Sequence, residues 1–239
     1  MKVPPFSVMN REERHLCAIL YHLLQDTDNL RAFQGVLDLE PRDDAEVFVE
    51  AAFVRDYFNW WREECSHLQK SKEEFDDFCH KAFGIRPGQP SESRVPKGPL
   101  KGFLSLQRLW KKSAAFDDPY CALLPSLANM RFDVLLLTPH TFALIETKLH
   151  TPIGADQIHL QQVLGKILNR LPGYERHAFC HFLVSDGRHS KLEQQVAGIP
   201  PPVPDFRLQQ RSWTQVLDGL PCVSTRQREE IRYMLRLRR

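Results

Sequence analysis

Two acidic residues and one basic residue stand where burial is expected. The stretch RFDVLLLTPHTFALIETKL carries Asp133, Glu146 and Lys148 inside runs otherwise built of Val, Leu, Phe and Ile. Apolar runs bounded by Thr138-Pro139-His140-Thr141 predict two β-strands joined as a hairpin. Pro139 excludes the positive φ of a type I′ loop and suits the second position of a type I turn. A four-residue loop is therefore expected, with Leu137 facing Phe142. In that register Asp133 falls opposite Glu146, with Cβ atoms about 5 Å apart. Alternation along the strand puts Lys148 on the same side as Glu146.

Two carboxylates held this close repel unless a cation neutralises them, and their oxygens suit Mg²⁺ or Mn²⁺. An ammonium beside them can position an attacking water or stabilise charge building on a phosphate. An exposed hairpin edge could use the same three residues as a cross-strand salt link. Against that, VLLL and FALI read as strands buried on both faces, where stray charges are costly.

The surrounding elements must position this hairpin. NREERHLCAILYHLLQ predicts an amphipathic helix, with Leu16, Ile19, Leu20, Leu23 and Leu24 on one side and Asn10 as its cap. RDDAEVFVEAAFVRDYFNWWREECSHLQ predicts a second helix, and SKEEFDDFCHKAFG a third that stops at Gly84. Residues 86–102 concentrate Pro, Gly and Ser without apolar periodicity, which marks a flexible loop. FLSLQRLWKK predicts a short helix and PYCALL a short strand. After the hairpin come a helix over GADQIHLQQVLGKILNRL, a strand over HAFCHFLVS, and helices over SWTQVLDGL and the C-terminal segment. His177, Cys180 and His181 have no second half of a zinc site, so they read as part of that strand, with Cys180 and Phe182 packed inside. The alternation implies an α/β fold with a mixed sheet covered by helices.

The hairpin resembles the PD-(D/E)xK nuclease superfamily, whose signature is an Asp on one central strand and Glu-x-Lys on the next. Here it reads Asp133, twelve residues, then Glu146-Thr147-Lys148. The helix and strand that follow match the family's αβββαβ order. The resemblance implies a restriction-endonuclease-like core. It also implies that Asp133 and Glu146 bind Mg²⁺ or Mn²⁺, that the Thr147 backbone carbonyl completes the coordination, and that Lys148 orients the nucleophilic water. Gln157 and Gln161, four apart on one helical face, resemble a glutamine on this helix in related nucleases. They could equally be polar residues bordering the Leu160, Leu164 and Ile167 stripe. Family members often place a Glu on the first core helix. Glu13 and Glu12 are the candidates, with Glu13 favoured although with Asn10 it has capping-box spacing; Glu46 and Glu50 are candidates if the second helix is the core one.

The resulting organisation is one nuclease-like domain over 1–239. It has a helical insertion at 27–115, a catalytic core at 118–185 whose first strand is placed at Tyr120–Leu124, and a C-terminal helical extension at 205–239. The expected activity is metal-dependent hydrolysis of nucleic-acid phosphodiesters, with DNA favoured over RNA and homodimers possible. The alternative is a nuclease-like module that binds or assembles without cutting. A net charge of +2 neither requires nor excludes a polyanion. Lys97, Lys101, Arg232 and Arg236 are candidate phosphate contacts, although the C-terminal arginines would also suit a solvated helix face. Six scattered cysteines without a CxxC pair fit a reducing compartment. Without a signal-peptide-like start or an apolar span, a cytoplasmic location and no membrane contact are expected.

Overall fold

The computed structural model describes residues 13–53, 56, 60, 130–149, 153–169, 173–187, 189, 191–200, 202–203 and 207–236. In chain order they form α1 (Glu13–Leu23), α2 (Thr27–Val36), β1 (Glu46–Ala51), β2 (Phe132–Leu137), β3 (Thr141–Thr147), α3 (Ala155–Leu168), β4 (Ala178–Val184), α4 (Leu192–Ala197), β5 (Leu208–Arg211), α5 (Trp213–Gly219) and α6 (Thr225–Arg236). The strands make one mixed sheet in the order β1-β2-β3-β4-β5. β1, β2 and β3 run antiparallel as a meander, and β4 and β5 then add parallel to β3. Helices flank the sheet, giving an α/β fold.

The β2–β3 register is the one expected. Leu137 faces Phe142, and pairing continues to Val134 and Ile145. Carried one step past the last paired residues, this register sets Asp133 across from Glu146. The turn is tighter than predicted. Thr138 and Thr141 exchange backbone hydrogen bonds of 2.9 and 3.4 Å, which leaves only Pro139 and His140 at the tip. Neither has a positive φ, so the restriction imposed by Pro139 holds although the loop is shorter.

The helix expected from Arg42 onward is corrected at Glu46–Ala51, which forms strand β1. Val47 and Val49 pack on the core beneath β2, a period of two that also fits the broad apolar face of a helix. Pairing with β2 decides between them, because β-branched side chains fill the pleated surface well. The strand beside β2 is β1, so the insertion expected to be helical at 27–115 contains a strand. The expected first strand at 120–124, the helices at 71–84 and 103–112, and the loop at 86–102 lie outside the described residues.

Alternation gives the sheet two buried faces. On one, Val134, Leu136, Ala143, Ile145, Phe182 and Val184 meet α1, α2, α5 and α6 through Leu16, Leu20, Phe33, Trp213 and Ile231. On the other, Leu183 and Leu208 pack with Ile158, Leu192 and Val196 of α3 and α4. Each such buried side chain stabilises the fold by about 1.5–3 kcal/mol. Gly165 of α3 lets the helix approach β4, since a Cβ there would run into the Phe179 ring. Among the described residues, no helix is long and apolar enough to cross a membrane.

Candidate functional site

Glu146, the penultimate residue of β3, lies on the face covered by α3, and only 2% of its side chain is exposed. Three donors converge on its carboxylate. Gln157 Nε2 donates to Oε1 and Gln161 Nε2 to Oε2, each at 2.6 Å. Lys148 Nζ lies 2.7 Å from Oε1. The helical spacing of the two glutamines brings one face of α3 over the carboxylate. The backbone of Lys148 is fixed from both sides. Its N–H donates to Val184 at 2.9 Å, continuing the β3–β4 pairing, and its carbonyl accepts from the Trp213 indole at 3.0 Å.

Asp133 is held from the next residue of β3. Its Oδ2 accepts from the Thr147 amide at 2.8 Å and from the Thr147 hydroxyl at 3.0 Å. Burial, and then the negative charge of Glu146, push its pKa up to about 6. The Thr147 amide and the Lys148 charge pull partly the other way. The Cys17 sulfur of α1 lies 3.1 Å from Thr147 Oγ1. Since the one hydroxyl proton is directed at Asp133, the thiol is the donor in that contact. Burial and the Asp133 charge push the Cys17 pKa up to about 12, which keeps it a thiol.

A third acidic residue, Glu50, lies on the neighbouring strand β1. Val49 pairs with Val134 and Ala51 with Phe132, so Glu50 falls opposite Asp133. Its φ of 52° is left-handed, rare for a residue other than glycine. An ion pair with Arg131 at 3.8 Å also engages it. Glu46, the other candidate on this segment, sits at the opposite end of β1, facing Leu137.

Behind Gln161 stands an imidazole. His181 of β4 is buried, with Nε2 2.9 Å from Gln161 Oε1 and Nδ1 2.5 Å from Gln162 Nε2. Burial pushes its pKa down to about 3, so it is neutral. Sequence reading placed His181 on this strand but gave it no role. Alternation shows which face it occupies and cannot show what it meets there. Cys17, Trp213 and Gln162 were missed for the same reason.

The sequence candidates thus separate. Asp133, Glu146, Lys148, Thr147, Gln157 and Gln161 come together. Thr147 contributes its amide and hydroxyl to Asp133; the expected role was for its carbonyl. Glu13 opens α1, with its side chain outside the described residues. Lys97 and Lys101 also lie outside them, as does the side chain of Arg236. Arg232 pairs with Asp218 at 3.0 Å, and Arg228 donates to the Leu217 and Leu220 carbonyls that end α5. These two arginines therefore brace α6 against α5.

The donor set suits a hard divalent cation. An ionised carboxylate offers about four lone-pair positions. Three donors reach Glu146, leaving it capacity for one more partner. Among the described residues, both bonds to Asp133 fall on Oδ2, which leaves Oδ1 for another partner. A buried carboxylate, Glu146, beside a half-buried one, Asp133, would gain from Mg²⁺ or Mn²⁺, which relieves their repulsion. Asp26, Asp28 and Cys222 also bring ligand atoms within 4.8 Å of one another, but all three are exposed.

Comparison of the chain with models of protein families, with curated proteins and with solved structures finds no match.

Proposed function

We propose that this protein is a divalent-metal-dependent nuclease of the PD-(D/E)xK type, hydrolysing phosphodiester bonds of nucleic acid, with DNA as the favoured polymer. The observation that carries the reading is the convergence of Asp133, Glu146 and Lys148 at one end of the β2–β3 hairpin, beneath the glutamines of α3. The order α1-α2-β1-β2-β3-α3-β4, an αβββαβ series with α2 added before its first strand, supports a restriction-endonuclease-like core through its antiparallel meander and crossover to a parallel strand. The raised pKa of Asp133 supports it further, since strongly perturbed carboxylates cluster where chemistry is done.

Asp133 and Glu146 would hold Mg²⁺ or Mn²⁺, which supplies an acidified water and screens phosphate charge. The protein's own residues do the rest. Thr147 fixes Asp133 by two hydrogen bonds, and Gln157 and Gln161 fix Glu146. Lys148, anchored by its backbone and 12% exposed, presents positive charge where a phosphate develops negative charge. Such positioning is most of what phosphoryl transfer requires of a protein.

A second reading is a binding or assembly module that does not cut. It is favoured by the closeness of the Lys148–Glu146 pair, which already satisfies the charge of one carboxylate. Plasmid and single-stranded DNA incubated with Mg²⁺ or Mn²⁺ separate the two. The nuclease reading expects cleavage by the wild type, abolished by EDTA and lost in Glu146→Ala and Lys148→Ala. Cleavage that is absent, or equal in all three proteins, overturns it.

A further inference from the structure

We propose that His181 is a positioning residue that sets the amide orientation of Gln161 and, through it, the carboxylate of Glu146; the inference rests on the metal-dependent reading above. A glutamine amide can turn either its oxygen or its NH₂ group toward a neighbour, and only the NH₂ attracts a carboxylate. Glu146 alone favours that orientation, but a cation on Glu146 would weaken the preference by competing for its lone pairs. His181 supplies a second determinant from the far end of the amide. Its Nε2–H donates to Gln161 Oε1 at 2.9 Å, which holds the oxygen away from Glu146.

The tautomer that makes this work is itself fixed. Gln162 Nε2 lies 2.5 Å from His181 Nδ1. An amide nitrogen only donates, so Nδ1 accepts and the ring proton sits on Nε2. Donation therefore runs in one direction, from Gln162 to His181 to Gln161 to Glu146. All four residues are at most 3% exposed, so solvent does not compete for these bonds. Hydrogen bonds arranged in series in a low-dielectric interior strengthen one another. Partners behind a ligand that fix its orientation contribute to affinity without touching the metal.

The test compares full-length wild type with His181→Phe, His181→Gln, Gln161→Met and the double variant His181→Phe/Gln161→Met, each verified as folded by circular dichroism. Should His181→Phe not fold, His181→Asn, too short to reach both partners, replaces it. The Phe variant should bind Mn²⁺ about 10–100-fold more weakly and lose kcat on duplex DNA with KM unchanged. His181→Gln, able to donate to Gln161 and accept from Gln162, should recover most of the loss. The double variant should be no weaker than Gln161→Met alone. A folded His181→Phe protein that binds Mn²⁺ like the wild type, or a double variant whose loss is the product of the single losses, overturns the role.

A wild type that neither binds Mn²⁺ nor cuts DNA removes the functional reading without removing the network. Urea unfolding of the metal-free protein then decides. The effect of Glu146→Gln on the unfolding constant should change about threefold or more when His181 is Phe, and that dependence should vanish in the Gln161→Met background. An effect of Glu146→Gln that is the same in every background overturns the proposal.

Discussion

The Lys148 ammonium lies 2.7 Å from Glu146 Oε1, with 12% and 2% of the two side chains exposed. Two charges withdrawn this far from water stabilise each other chiefly by offsetting a desolvation cost. Removing one leaves the other stranded. Lys148→Met should destabilise the protein by about 2 kcal/mol or more, measured by urea unfolding at pH 8 with EDTA. An unfolding midpoint unchanged from the wild type would show that the pair is not held in the folded protein.

Asp133 predicts the opposite sign. Its folded pKa of about 6 exceeds the ordinary 3.8, so the folded state holds the proton more tightly than the unfolded chain. Stability should fall as pH rises from 3.8 to 6, and the penalty persists above that window. Asp133→Asn removes it and keeps an oxygen for the Thr147 amide. In EDTA at pH 8 the Asn variant should be more stable than the wild type by about 1–3 kcal/mol, with no difference near pH 3. Mn²⁺ should stabilise only the wild type. A variant less stable than the wild type at pH 8 would contradict the burial of an uncompensated charge.

His181 carries a pH dependence of its own. The unfolded chain takes up the imidazole proton near 6.5, the folded protein only near 3. Between those values the unfolded state binds more protons, so stability is lost as pH falls through the window. Asp133 works against this loss between 3.8 and 6. His181→Gln should therefore flatten the acid limb of the stability profile, whereas Asp133→Asn should steepen it. Parallel profiles for wild type and His181→Gln between pH 4 and 7 would exclude a buried neutral imidazole.

The seating of α3 on the sheet depends on Gly165. An alanine there would put its methyl group into the Phe179 ring, and overpacking of this kind costs about 1–3 kcal/mol. Gly165→Ala should lower the thermal midpoint, and Phe179→Leu in the same chain should recover part of the loss. Helix propensity alone predicts the reverse, a gain of about 1 kcal/mol from replacing glycine. A rise in the midpoint would show that α3 does not approach β4 this closely.

The hairpin was legible in the sequence because two local signals agree on it. Pro139 restricts the turn, and strict alternation then carries the register from Leu137 and Phe142 down to Val134 and Ile145, next to Asp133 and Glu146. The helix after it was legible from its periodicity, and Gln157 and Gln161 from their spacing. β1 was not. VFVEAAFV satisfies both periods, and only pairing with β2 makes it a strand, so the place of Glu50 across from Asp133 could not be read. α2, α4 and β5 were missed as well. β5, Leu208–Arg211, is a short and largely polar edge strand whose only regularity is its pairing with β4. The contacts of His181 and Cys17 join residues far apart in the chain, and no local pattern encodes them.

The central claim is that Asp133 and Glu146 hold a divalent cation. Anomalous diffraction at the manganese edge from crystals soaked in Mn²⁺ tests it most directly. A peak is expected between the two carboxylates, bonded to Asp133 and Glu146 and missing in crystals of Asp133→Asn. A peak confined to Asp26, Asp28 and Cys222, or no peak at the hairpin at millimolar Mn²⁺, would contradict it.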